Sequence, residues 1–284
     1  MGTAGWSYAD WNGIVYPEAR ARDFHPLRWL AQWFNCVEIN SSFYHPPQSK
    51  HAATWVKLVE EVEDFRFAAK LWERFTHHRD SWPTSHEIAQ YKDGVAPLAE
   101  AGRLGALLVQ FPWSFRRTPQ NRVWLGRIAE CFEGYPLVVE VRHESWNTPE
   151  VFDGLRAREI AFCNIDQPMF QDSIAPSDHV TASMGYVRFH GRNKANWFKE
   201  GVSQNERYDY LYSEDELRPW LGLIQSMQAK AKNVYVVTNN HFHGQAVANA
   251  LEIQAALGGG RFQLPEHLLA VYPRLRGIGL EGSG

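Results

Sequence analysis

The sequence predicts an α/β chain folded as one TIM-type (β/α)8 barrel with one irregular crossover. Three observations carry this. Eight short apolar or β-branched runs recur along the 284 residues. Segments of helical period separate most of them, an alternation that joins parallel strands through helical crossovers. The rival architecture, an open doubly wound sheet, needs a glycine-rich phosphate turn after its first strand. None follows the first run here.

The runs read in order as strands because each is short and rich in aliphatic, β-branched or aromatic residues. They are Gly2 to Ser7, Cys36 to Asn40, Phe65 to Lys70, Gly105 to Gln110, Leu137 to Arg142, Ile160 to Asp166, Tyr186 to His190 and Val234 to Asn239. Helical period occupies Pro26 to Phe34, Ser49 to Val62, Ser85 to Ala101, Pro119 to Phe132, Pro149 to Arg158, Glu214 to Lys230 and His243 to Leu257. The interval from Gln167 to Gly185 contains Pro168 and Pro176 and has no helical period, so it is the irregular crossover. No linker, low-complexity tract or internal repeat interrupts the chain, which makes 1–284 a single domain.

Strand ends carry the functional signal. Val37-Glu38-Ile39-Asn40 places apolar side chains on one face and a carboxylate and an amide on the other, because side chains alternate along a strand. Glu140 and Arg142, Asn164 and Asp166, and Arg188 and His190 repeat the pattern, with the polar members last. Lys70, Gln110, Asn239 and Asn240 close the third, fourth and eighth strands, and Ser7 closes the first. Barrels of this type work at the C-terminal ends of their strands. The expectation is therefore that Glu38, Lys70, Glu140, Arg142, Asp166, Arg188 and His190 converge at one mouth.

Composition narrows the class. The net charge of −3 provides no global attraction to nucleic acid, so any polyanion must be held by a local basic patch. No apolar run reaches the roughly 18 residues of a membrane span, and the N-terminus lacks a basic region followed by an apolar one, so a cytoplasmic location and no membrane partner are expected. Cys36, Cys131 and Cys163 are widely spaced among apolar neighbours and read as structural residues.

The motifs Gly5-Trp6-Ser7-Tyr8, Val37-Glu38-Ile39-Asn40 with Phe43-Tyr44, and Gln110-Phe111-Pro112 resemble those of the YecE-like family, domain of unknown function 72. So do Val139-Glu140-Val141-Arg142-His143 with Trp146, Tyr186 through Arg192, and Asn239-Asn240 with Asn249-Ala250. The similarity runs from about Gly2 to Leu257. It implies a TIM barrel and leaves the activity open.

Candidate catalytic residues are Glu38, Lys70, Glu140, Asp166 and His190: carboxylates and a histidine for acid–base work, and a lysine expected to pair with a glutamate, though able to form a Schiff base if desolvated. Arg142, Arg188 and Arg192 are the candidate anion contacts. An anion is expected where the loops after the seventh and eighth strands meet, beside Asn240 and Gly244. Trp6, Ser7, Asn40, Tyr44, Gln110 and Asn239 are further substrate contacts, and Trp197 belongs to a lid over residues 193–212. No metal ligands are assigned and no cofactor is predicted. The minority alternative is Mg²⁺ or Mn²⁺ on Glu38, Glu140, Asp166 and His190. The pairs His77-His78 and His241 with His243 read as solvent-facing loop residues.

The favoured reading is an enzyme, a hydrolase or a lyase, acting by carboxylate and histidine chemistry on a small molecule bearing a phosphate or a sugar. Two alternatives stand beside it. One is a nucleic-acid-binding or processing barrel of endonuclease-like character, and the other is a noncatalytic binding protein.

Overall fold

In a computed structural model describing residues 1–280, eight parallel strands close on themselves in sequence order. They are β1 (Gly2–Ala4), β2 (Cys36–Ile39), β3 (Arg66–Lys70), β4 (Leu104–Gln110), β5 (Leu137–Glu140), β6 (Ala161–Asp166), β7 (Met184–Phe189) and β8 (Asn233–Thr238). Every predicted run overlaps a strand, with ends that differ by at most three residues. The first ends early, because Gly5 turns the chain with φ at 85° and Tyr8 folds back to donate from its hydroxyl to the Ala4 carbonyl at 2.5 Å. A side chain at Gly5 is excluded by that same hydroxyl, which lies 2.6 Å from where a Cβ would sit. Ser7 is consequently exposed, beyond the strand it was expected to close.

All seven predicted helices form, with somewhat shorter bounds, at Pro26–Leu30, Ser49–Leu58, Ser85–Glu100, Pro119–Cys131, Pro149–Arg156, Glu214–Gln228 and Gln245–Ala256. Local chemistry sets several starts. Thr84 with Glu87 and Ser213 with Glu216 make reciprocal capping boxes, and Thr118 caps the helix whose first residue is Pro119. Helix faces pack on the outer faces of the strands, where Val37, Ile39, Val139, Val187 and Phe189 are fully or nearly fully buried.

Between β6 and β7 there is no helix. Side chains replace it. The Thr181 hydroxyl accepts the Phe162 N–H at 2.8 Å and donates to the Ile160 carbonyl at 2.6 Å. The Asn164 carbonyl oxygen accepts from the Ser177 hydroxyl at 2.7 Å and the His179 N–H at 2.9 Å. Thr181 of the irregular segment thus satisfies backbone groups at the start of β6, and Asn164 of β6 satisfies the backbone of the segment at His179.

This arrangement reverses one face assignment. Partners across a sheet point the same way, and the register pairs Ile165 with Arg188 and Asp166 with Phe189. Cys163 and Ile165 therefore face the barrel axis, while Asn164 and Asp166 face outward. The outward polarity of β6 instead serves the crossover through Asn164 and the segments after β7 through Asp166.

Candidate active site

The base of the mouth is a fully buried charge network. From β7, Arg188 donates through Nη2 to Oε1 of Glu38 at 2.6 Å and through Nη1 to Oε2 of Glu140 at 2.5 Å. Arg142 adds Nε to Glu140 Oε1 at 3.0 Å, and the Tyr186 hydroxyl donates to Glu38 Oε2 at 3.2 Å. Burial alone would raise the Glu140 carboxyl, yet Arg188, His190 and Arg142 together hold it well below the usual carboxylate range. Two carboxylates face two guanidinium groups, and the inner charges balance.

His190 sits against this network with a fixed tautomer. Asn239 Nδ2 donates to His190 Nδ1 at 3.1 Å, so the ring proton is on Nε2, which donates to Glu140 Oε1 at 3.1 Å. Burial pushes the imidazole down to about 3 in spite of Glu140, and the ring stays neutral.

Above this base lies a cleft of about 380 Å³. Its ionisable lining includes Lys70, Arg142, Arg207, His77 and His241, with no Asp or Glu among the described residues. Asn40, Gln110 and Asn239 supply polar groups from strand ends, and Tyr8, Phe43, Tyr44, Trp113, Trp197 and Tyr208 supply aromatic walls. Burial lowers both His77 and His241 to about 4, so each lines the cleft as a neutral ring.

Lys70 is the anomaly in this lining. Among the described residues no carboxylate pairs with its ammonium group, which lies over the face of Phe43 with Nζ 3.9 Å from the ring centroid, where pairing with a glutamate was expected. Burial, reinforced by Arg188, lowers its pKa to about 7 in spite of Glu38 and Glu140. The reason is structural: Arg188 has taken both carboxylates that a strand-end lysine would otherwise recruit.

The other predicted residues divide cleanly. Glu38, Glu140, Arg188 and His190 converge as expected, beneath the cleft. Lys70, Asn40, Tyr44, Gln110, Arg142, Trp197 and Asn239 line it. Asp166 lies on the outer face of the barrel, where it accepts from Arg192 Nη2 at 2.6 Å, Arg192 Nε at 2.9 Å, the Tyr212 hydroxyl at 2.6 Å and Trp220 Nε1 at 2.7 Å. Trp6 packs edge-on against Trp55 at 5.4 Å instead of lining the cleft.

The expected anion corner between the last two loops is occupied by protein. Arg188 and Arg192 are both paired, Asn240 Nδ2 donates to the Tyr210 carbonyl at 2.8 Å, and Val15 covers Gly244. The cationic groups that face open space are Lys70, Arg142 and Arg207, across the mouth. Among the described residues no three His, Cys, Asp or Glu side chains stand together as metal ligands. Glu38 and Glu140 are committed to arginine, and Asp166 is turned away from both.

Sequence reasoning missed Tyr8, His77, Trp113 and His241 as lining residues. The histidines were read as solvent-facing, but His77 packs edge-on to Phe43 at 4.9 Å and His241 stacks on Tyr8 at 4.4 Å. Tyr8 and Phe43 lie within the motifs quoted above, which was the available signal.

Fold and site together define a (β/α)8-barrel protein with its polar cleft at the C-terminal ends of the strands. The chain belongs to the family described as protein of unknown function DUF72, whose model matches residues 1–269. It is similar to the UPF0759 protein YunF of Bacillus subtilis strain 168, with 27% identity over 266 residues, 89% of this chain and 92% of that protein. The UPF0759 protein YecE of Escherichia coli K12 is 27% identical over 146 residues, covering 50% of this chain and 48% of its own. A DUF72 family protein of Thermotoga maritima superposes with a TM-score of 0.78 at 33% identity, covering 90% of this chain and 98% of that one. One from Enterococcus faecalis gives 0.78 at 26% identity, covering 90% and 94%. Among the described residues no helix is long and apolar enough to cross a membrane.

Proposed function

We propose that the mouth is the active site of an enzyme acting on a small anionic molecule, such as a phosphate-bearing or sugar phosphate compound. One observation carries this reading: the cleft presents Lys70, Arg142 and Arg207 and no carboxylate among the described residues. A cleft lined by one sign of charge concentrates ligands of the other sign. Proton transfer falls to Lys70, the one strand-end group in the cleft whose proton is held weakly near neutral pH. Glu38, Glu140, Arg188 and His190 act from below by holding Arg142 in place and leaving Lys70 without a counter-ion. Lyase chemistry suits an amine in this position better than hydrolysis by a freed carboxylate.

Calorimetric titration with inorganic phosphate and ribose 5-phosphate tests the reading. Saturable binding that weakens at least about tenfold in Arg142→Gln, the loss of a charge-assisted contact, supports it. Binding of single-stranded oligonucleotides that falls steeply with salt, with no binding of the small phosphates, transfers the site to nucleic acid. Absence of either leaves the barrel without an anionic ligand and sinks the proposal.

A further inference from the structure

We propose that Lys70 forms an imine with a small carbonyl compound that also carries a carboxylate or a phosphate. This rests on the reading of the mouth as an anion-binding catalytic site and adds a covalent step to it.

The geometry makes the case. Lys70 ends β3 inside a closed ring of strands, so its side chain rises from the buried network into the cleft. Imine formation needs an uncharged amine, and the surroundings of Lys70 leave a large share of it uncharged at neutral pH. Arg188 below and Arg142 beside it balance the carboxylates of Glu38 and Glu140, so the network offers Lys70 no net negative charge. His77, which shares the lining, is itself neutral and adds no charge. A lysine at about 7, against an ordinary value near 10.4, exposes roughly 10³-fold more free amine at neutral pH than a surface lysine does. The Phe43 face beneath Nζ is apolar and gives the amine no acceptor that competes with an incoming carbonyl carbon.

The cleft also holds what the other half of such a substrate needs. Arg142 uses Nε and Nη2 on Glu140, its side chain keeps 11% exposure, and it is held over Trp197 with its guanidinium carbon 5.5 Å from the ring centroid. Arg207 borders the same space, with a buried Nε that has no partner among the described residues. A carboxylate or phosphate handle would meet Arg142 and Arg207, the two arginines that share this lining with Lys70.

The step balances without an outside reagent. The Nζ lone pair attacks the carbonyl carbon, the C=O π pair moves to oxygen, and a proton passes from nitrogen to that oxygen. The carbinolamine then loses its hydroxyl as water, which takes up one proton as the nitrogen lone pair closes the C=N bond, and the remaining N–H proton leaves to restore the balance. Water is the only product besides the imine. A neutral His77 and the hydroxyls of Tyr8 and Tyr208 border the cleft where that water leaves.

Sodium borohydride trapping tests the inference on the intact chain. The protein is incubated separately with pyruvate, glycolaldehyde phosphate and acetaldehyde, reduced, digested and mapped by mass spectrometry. The expected result is an adduct on the Lys70 peptide equal to the carbonyl compound less one oxygen atom. It should form with an anionic carbonyl far more than with acetaldehyde, and disappear in Lys70→Met. Pyruvate and glycolaldehyde phosphate distinguish a carboxylate from a phosphate handle. An adduct spread over surface lysines and unchanged in Lys70→Met overturns the imine. No adduct from a protein that still binds phosphate in the cleft overturns the imine alone and leaves the anion-site reading intact. No adduct and no anion binding overturns both.

Discussion

One guanidinium from β7, that of Arg188, joins the carboxylates of Glu38 on β2 and Glu140 on β5, at 2.6 Å and 2.5 Å. All three side chains are essentially inaccessible, so each charge depends on the others for solvation. The pairing reaches across the barrel interior and has two effects. It ties together strands far apart in the chain, and it withdraws both acids from Lys70.

Replacing Arg188 should therefore be severe. Arg188→Met strands two buried carboxylates, and the expected loss is about 3–5 kcal/mol, as for a broken buried ion pair. Urea denaturation at neutral pH measures it. A loss under about 1 kcal/mol would mean that the carboxylates reach water or each other's protons, contrary to the geometry.

Lys70 should behave in the opposite way. Its folded pKa is about 7, below its unfolded value, so the unfolded chain holds the proton more tightly across the interval between them. Stability consequently rises with pH from about 7 towards about 10, and the lysine costs most at and below neutrality. Lys70→Met should stabilise the protein by on the order of 1–3 kcal/mol near neutral pH, an advantage that shrinks as pH approaches the unfolded lysine value. Matched denaturation curves at the two ends of that range decide it. A variant no more stable than the parent at neutral pH places a counter-ion beside Lys70 after all.

His190 titrates at about 3 when folded, and ordinary histidine does so near 6.5. The neutral ring is favoured by folding, so its contribution is present above about 6.5 and is lost as pH falls through that interval. Glu140, held below the usual carboxylate range, loses its share further into acid, below about pH 4.5. Nitrogen-15 NMR should show His190 with its proton on Nε2 and a bare Nδ1 from neutral pH down to the onset of acid unfolding. A ring that titrates near pH 6.5 in the folded protein rules out this tautomer lock.

Asp166 separates scaffold from site. Four hydrogen bonds converge on its carboxylate from Arg192, Tyr212 and Trp220. Asp166→Ala should cost about 3–5 kcal/mol, the penalty of leaving Arg192 and its neighbours without their buried partner. Phosphate affinity of the folded variant should stay within about twofold of the parent, since no cleft contact is removed. A stable variant with lost binding would return Asp166 to the site.

Legibility in the sequence followed the physics of each signal. Period and length located all eight strands and the seven helices, because apolar alternation is dictated by burial whatever the details of contact. Strand-end polarity located Glu38, Lys70, Glu140, Arg142, Arg188 and His190 for the same reason. It failed on Asp166, since alternation gives two faces and cannot say which is inside. On β6 the outward side chains Asn164 and Asp166 are polar because they bond the crossover and the segments packed over the strand, and the register with Phe189 shows which face they occupy. The histidines failed differently: His77 and His241 are drawn inward by Phe43 and Tyr8, contacts between residues far apart in sequence that no local pattern records.

The helix-free crossover from β6 to β7 bears on how the barrel assembles. A helical crossover can form much of its own structure from neighbouring residues before it meets the sheet. Residues 167–183 have no such local start, since Ser177, His179 and Thr181 find their partners on Ile160, Phe162 and Asn164. The span between these strands is ordered by the strand it covers, so the pairing of β6 with β7 is expected among the later events in folding. The same seam is the natural first point of opening, so amide exchange in native conditions should be fastest there among the eight strand pairs.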